Sequence, residues 1–327
     1  MQIAVVDRYS SMIAALADMN RNQPVMHDTW ETPEDYDLKR TLWLAGMGHR
    51  DPSLGVTQDE AWLAFHTPEG PVSVHGKLVG VTLTVQCLGE GRQWMLPRVS
   101  ALFGLHDSLE AFQPSGKVLE LQKRLPGAHL PTLPVVFHRL VQVVLQQLVT
   151  WPDALRGWIK LTQQFGSAAP GDGGLRLAPS ASEIARMGYY DLVSCNIMPR
   201  QARLIQRLAR EARRLERLAD QADELAKYLL TIRGIGDWTV QHLLGTSCGV
   251  SDAVLTGDFG LPHTVAWYLA GKERSDDEEM LRLLEPYRGH RFRVINLLWQ
   301  SGIEAPRRGP KMQSNRWRFT QGSRNTR

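Results

Sequence analysis

Leu230-Thr231-Ile232-Arg233-Gly234-Ile235-Gly236-Asp237-Trp238-Thr239 is the stretch on which the reading of this chain turns. An apolar stripe at helical spacing precedes it, and a second short apolar run, Val240 to Leu244, follows. The spacing predicts two helices joined by a Gly-Ile-Gly hairpin. Such a junction presents backbone N–H groups at the start of the second helix, and with the positive end of the helix dipole they suit a phosphate oxygen. Glycine at 234 and 236 permits positive φ and close approach of a ligand. An ordinary helix–turn–helix corner would use the same residues, and this segment alone leaves both readings open.

Working outward, the chain divides by pattern. Up to about Phe112 it is mixed and strand-rich: Val79 to Gln86 alternates with period two, Trp62 to His66 and Val72 to Val74 are further strand candidates, and Pro68-Glu69-Gly70 supplies a turn. Met12 to Met19 fits a short helix. Beyond Phe112 helical spacing takes over. Phe137, Leu140, Val141, Val144, Leu145 and Leu148 form one apolar stripe, and Gly166 to Gly174 reads as a loop. Leu204, Leu208, Ala212, Leu215, Leu218, Ala222, Leu225 and Leu229 form another stripe over two helices that break near Asp220, with Arg203, Arg207, Arg210, Arg214 and Arg217 off it, facing solvent or phosphate. The expected organisation is an α+β N-terminal domain with an antiparallel sheet over residues 1–112, an all-α domain over 113–305, and a basic tail over 306–327.

Composition bounds the class. The 327 residues are 43% hydrophobic and 22% charged, which suits a globular chain of about two domains. No apolar stretch approaches the length of a membrane span, and the N-terminus does not read as a secretory signal. Cys87, Cys195 and Cys248 are far apart and odd in number, which fits a reducing cytoplasm and gives no metal or iron–sulfur spacing. Net charge is +4, but ten basic residues lie between Arg288 and the end against Glu304 alone. A cationic end on a mildly acidic body suggests an anionic polymer as partner, or a solvated tail. Phosphate-loop, zinc-hydrolase and serine-hydrolase motifs fail on spacing or residue type.

Downstream of the hairpin, Thr256-Gly257-Asp258-Phe259-Gly260-Leu261 leads into a further helix; upstream stands Leu145-Gln146-Gln147-Leu148-Val149-Thr150. With Gly234-Ile235-Gly236, Trp238-Thr239 and the helical run Arg291 to Trp299, these segments resemble the helix-hairpin-helix (HhH-GPD) DNA glycosylases. Among these they look most like the bacterial DNA-3-methyladenine glycosylase II branch. The resemblance covers most of residues 130–305, and the N-terminal region is more loosely similar to that branch's β-rich domain.

The resemblance implies base excision repair: flipping of an alkylated, 3-methyladenine-like purine from duplex DNA and hydrolysis of its N-glycosidic bond. A fixed carboxylate stabilises an oxocarbenium-like sugar, and the resemblance gives that role to Asp258, which would also orient or deprotonate the water. A helix N-cap is the plain alternative, and Asp252 is a weaker spare carboxylate. Trp238, His242 and Trp299 would line the base pocket by stacking and cation–π attraction, or be core. Trp238 stands where bifunctional relatives carry lysine, which implies a monofunctional enzyme. Leu148 would wedge the stack and Gln147 face the opposite strand, core packing of Leu148 being the alternative. Arg233, Gly234, Ile235, Gly236 and Thr239 would hold the phosphate backbone. No metal or organic cofactor is implied; the expected partner is damaged double-stranded DNA, bound by a monomer. His242, Gly257, Trp151-Pro152 and Arg233 depart from the family pattern and bear on substrate range. A glycosylase for deaminated, oxidised or mismatched bases, or a non-catalytic binder of distorted DNA, are the rival readings.

Overall fold

The computed structural model describes residues 26–171 and 174–306. The helix expected over Met12 to Met19 and the basic segment after Pro306 lie outside them. Near the N-terminus, β1 (Met26–Glu31), β2 (Leu54–Val56), β3 (Glu60–Thr67), β4 (Gly70–Val79) and β5 (Thr82–Gly89) form one antiparallel sheet in the order β1-β5-β4-β3-β2. The expected strand from Val79 to Gln86 is in fact broken. Val79 pairs with Thr82, and Gly80, at φ +60, turns the chain between β4 and β5. A two-residue hairpin needs positive φ, and glycine supplies it inside an otherwise alternating run.

Val72, Val74, Leu83, Val85 and Cys87 bury one face of the sheet against the short helices α1 (Leu38–Thr41), α2 (Arg92–Met95) and α3 (Val99–Leu102), with Phe103 closing the layer. A Cβ on Gly76 would lie 2.5 Å from the Phe103 ring, so that packing requires glycine. On the opposite face, Trp62 and Ala64 meet Ala169, Leu175 and Leu177. They lie in and beside β6 (Ser167–Ala168) and β7 (Arg176–Leu177), a short hairpin where the sequence suggested only a loop. Strands of two residues are too short to show a period, so residues 113–305 are not wholly helical.

The remaining elements are α4 (Gly116–Arg124), α5 (Val136–Leu145), α6 (Trp151–Phe165), α7 (Ala181–Arg186), α8 (Tyr189–Ser194), α9 (Pro199–Arg217), α10 (Ala222–Leu230), α11 (Asp237–Ser247), α12 (Leu261–Ala270), α13 (Asp277–Leu284) and α14 (Arg291–Ser301). The apolar stripe of α9 is buried as its spacing requires, and the chain breaks between Leu218 and Gln221 before α10. Two cores result. One joins α5 to α11 around Phe137, Trp158 and Leu208; the other joins α4 to α12, α13 and α14 around Val118, Val265 and Phe292. Both take a residue from the loop after α1: Met47 enters the first and Leu44 the second.

That loop is fastened by a buried carboxylate. Asp51 accepts the backbone N–H groups of Met47 (2.8 Å) and Ser53 (3.0 Å), the Ser53 hydroxyl (2.7 Å), the Gln142 amide (3.3 Å) and the Trp158 indole (2.8 Å). Beside it, the buried Arg139 guanidinium donates to Gly46 O (3.3 Å), Gln142 Oε1 (2.9 Å) and Thr246 Oγ1 (3.1 Å). Residues 46–53 are thereby joined to α5, α6 and α11. Removing the acceptor leaves several buried donors unpaired and the Arg139 charge without its nearest anion. Asp51→Ala is expected to lower unfolding free energy by about 3 kcal/mol, read as a shifted midpoint in urea titration.

Candidate active site and DNA face

A cleft of about 800 Å³ opens where the two helical cores meet the loop after α1. Trp238 and His242 of α11, Asp258, Trp299 of α14 and Trp151 at the start of α6 line it. The sequence assigned only Trp238, His242 and Trp299 to a pocket; the structure adds a wall from residues 39–56 of the sheet region. Trp43, 49% exposed, stands in that wall with His49 and Arg50. Trp43 was not legible in the sequence, because its place depends on a loop pinned by Asp51 far from the hairpin.

Asp258 is bonded to the start of a helix and also lines the cleft. Its Oδ1 accepts the N–H groups of Gly260 and Leu261, each at 2.8 Å, at the start of α12. Its Oδ2 accepts the Trp238 indole N–H at 2.8 Å on the cleft side. Gly257 before it lies at φ +78 and donates its N–H to Asp277 (2.8 Å), so glycine there serves the backbone turn that aims the carboxylate. Phe259 after it is 82% exposed.

Behind Asp258 the aromatic groups are stacked edge to face. The Trp238 and His242 rings lie 4.9 Å apart at 87°, and His242 and Trp299 lie 5.9 Å apart. Burial, aided by the nearby Arg139 charge, pushes the His242 imidazole down to about 3, so it is neutral at ordinary pH. Its Nδ1 has no hydrogen-bond partner among the described residues. Trp299 both lines the cleft and packs on Phe292 (5.8 Å), combining the pocket and core readings. Its helix is anchored by two ion pairs: Arg293 with Asp107 (2.7 Å), deep in the interior, and Arg291 with Asp252 (2.6 Å). Asp252 also accepts the N–H groups of Gly289 and Arg291, so it is committed to this joint rather than to the cleft. Against the effect of burial, those partners hold its carboxyl below the usual range.

The loop after α5 has a distinct construction. The Gln201 side chain, 2% exposed, donates to the carbonyls of Val144 (3.1 Å), Leu145 (3.1 Å) and Gln147 (3.0 Å) around the C-terminal end of α5. Leu148 follows at φ +54 and 78% exposed. A leucine in the left-handed region, projecting into solvent, is not core packing, although it continues the apolar spacing of α5. Gln147, expected to face an opposite strand, is instead turned to the hairpin: its amide donates to Gly234 O (3.1 Å) and Thr239 Oγ1 (2.9 Å).

At the hairpin, Arg233, Gly234 and Gly236 are exposed and no side chain caps α11. Gly234 takes φ +101, as expected; Gly236 takes an ordinary φ of −115, and a Cβ there would meet nothing within 4 Å. Glycine at 236 therefore keeps the outer surface open rather than allowing an unusual turn. The Ile235 side chain is buried in the first helical core. Thr239 differs from expectation. It is buried, its hydroxyl is taken by Gln147, and its N–H donates to Gly236 O (3.0 Å), so it supports the hairpin from beneath. Among the described residues no group of three or more metal-ligating side chains is found.

No protein-family model matches the chain. It is 27% identical over 171 residues to YfjP of Bacillus subtilis, a protein provisionally named a DNA-3-methyladenine glycosylase; the match spans 51% of this chain and 58% of that protein. The 3-methyladenine DNA-glycosylase from Archaeoglobus fulgidus has a similar structure, with TM-score 0.72 and 20% identity over 84% of this chain and 98% of that one. MBOgg1, in complex with a low-affinity DNA ligand, superposes with TM-score 0.67 and 17% identity over 86% and 98%. The chain thus shares the fold of these DNA glycosylase structures.

A neutral buried His242 has a signed effect on stability. Its folded value lies below that of the unfolded chain, so its contribution is fully present above about pH 6.5 and is lost as pH falls toward 3. The slope it adds in that window reaches about 1.4 kcal/mol per pH unit. His242→Phe is expected to flatten the acid limb of stability against pH, measured by thermal melts across that range.

Proposed function

We propose that the chain is a monofunctional DNA glycosylase that extrudes an alkylated purine from duplex DNA and hydrolyses its N-glycosidic bond. One observation carries the reading: the Asp258 carboxylate is fixed by two backbone amides and the Trp238 indole at the mouth of an aromatic cleft. Beside that cleft lie an uncapped hairpin and an exposed leucine. As the bond from C1′ to the base nitrogen breaks, the electron pair leaves with the base and positive charge develops on the sugar. A carboxylate held in place stabilises that charge without reorganising. Water adds to C1′, and its proton passes to Asp258 or to solvent. A cationic alkylated base leaves as a neutral species and needs no acid from the protein. Indole faces favour a cationic base, and a neutral His242 adds no repulsion while offering an unpaired ring nitrogen.

Leu148 fills the role of the wedge: an exposed apolar side chain, held rigidly, that occupies the gap left by the extruded nucleotide. The hairpin amides and Arg233 take phosphate oxygens on the lesion strand. The monofunctional assignment rests on Trp238 occupying the place beside Asp258. Lys39 also lines the cleft, from the α1 side, so trapping with borohydride on a damaged duplex is the direct control. No trapped complex is expected.

Asp258→Asn is expected to lower release of methylated bases from dimethyl-sulfate-treated duplex DNA by at least about 10²-fold while retaining DNA binding. Equal release by the variant and wild type would remove Asp258 from the centre of the reaction. Leu148→Gly separates stability from function. Relief of the left-handed backbone, less the added chain entropy, raises stability by about 0.5–1 kcal/mol. Excision from duplex falls, and excision from an unpaired lesion falls less; melting curves paired with single-turnover rates check both.

A further inference from the structure

We propose that the exposed face of α9 is a second surface for the phosphate backbone of duplex DNA, separate from the hairpin. Arg200, Arg203, Arg207, Arg210, Arg214 and Arg217 recur at steps of three and four along this helix and all are exposed. They make one straight cationic row about 26 Å long, the axial length of roughly seven or eight base pairs at 3.4 Å each.

Two features separate this row from an ordinary solvated helix face. Such faces interleave acids and bases, but the two acids of α9 are turned to other work. Glu211 accepts the Tyr228 hydroxyl (2.8 Å), and the buried Glu216 accepts the N–H groups of Val136 (2.9 Å) and Phe137 (2.8 Å). None of the six arginines is ion-paired with a described residue, whereas Arg156, Arg282, Arg288 and Arg291 each lie on a carboxylate. The row is also braced. Arg203 lies over the Tyr189 ring (5.0 Å) and Arg214 over Tyr228 (3.9 Å), contacts that hold charge at the surface without neutralising it. Uncompensated, prepositioned guanidinium groups in a row bind a polyanion and release its counterions.

Its position says which polyanion. The near end touches the candidate DNA face, where Arg200 Nη2 donates to Gln147 O (3.2 Å) in the loop carrying Leu148. The far end lies beside the N-terminus of α5, where Glu216 is bonded. The row thus starts at the lesion site and leads away from it, reaching backbone that the hairpin does not hold: a flank of the same duplex, or a second segment. This rests on the reading of the hairpin as the primary DNA contact.

The test is the salt dependence of binding to undamaged duplex by the full chain and by R207Q/R210Q/R217Q, three exposed positions outside the proposed active site. The expected result is a slope of log K against log salt shallower by about two to three, roughly 0.9 for each phosphate that the variant no longer neutralises. Base release at saturating DNA stays at the wild-type rate. An unchanged slope overturns the proposal and leaves a solvated helix face. A shallower slope with no base release from either protein leaves this surface standing and removes the glycosylase reading. Titration with duplexes of about one helical turn separates the two sources: an end point of two per chain shows a second segment. One per chain, with the slope change confined to longer duplexes, shows a flank.

Discussion

The buried Asp51 carboxylate is the constraint on which the cleft depends. Five donors from three parts of the chain converge on it, and together they join the loop after the first helix to the helices that carry Trp158, Gln142 and Arg139. An ionised group in the interior is tolerated only when its lone pairs are occupied and a counter-charge is near. Meeting that requirement ties a loop of the sheet region to the floor of a pocket built from helices. Trp43, on that loop, stands across from Trp238 and Trp299 for this reason.

At the site itself, two opposite electrostatic demands are met within a few side chains. Asp258 remains open to the cleft yet held on both oxygens, which suits a fixed negative charge. His242 is buried so fully that it gives up its proton. The Trp238 indole ties the carboxylate of Asp258 to the aromatic wall that buries His242. The loop after α5 obeys a third demand. Gln201 holds three carbonyls around the end of α5, beside a leucine in a backbone region it would otherwise avoid.

What the sequence showed was local. The Gly-Ile-Gly hairpin, the Asp-Phe-Gly-Leu turn and the period-two and period-3.6 runs each carry their information within about a dozen residues, so the three central strands and the helices on the apolar stripes were legible, while β1 and β2 were not. Gly80 interrupts an alternating run without disturbing its composition, which is why Val79, the end of β4, read as part of the next strand. The β6–β7 hairpin is too short for any period. Gln147 and Thr239 illustrate a second kind of gap: both stand in segments singled out by their sequence, but their mutual hydrogen bond joins positions 92 residues apart. Trp43, Arg139 and Gln201 carried no motif at all. Their importance comes from burial and from partners on other elements, which single-sequence patterns do not encode.

The wall supplied by residues 39–56 has a consequence for how such a molecule diverges. The helical part is not a self-sufficient cassette, because one side of its working cavity belongs to another layer of the fold. Drift in the loop around Gly46 to Arg50 would widen or narrow the cavity without altering the hairpin or the aspartate turn. The shape of the cavity and the aspartate turn are thereby inherited on different segments, and the lining can change where no motif is written.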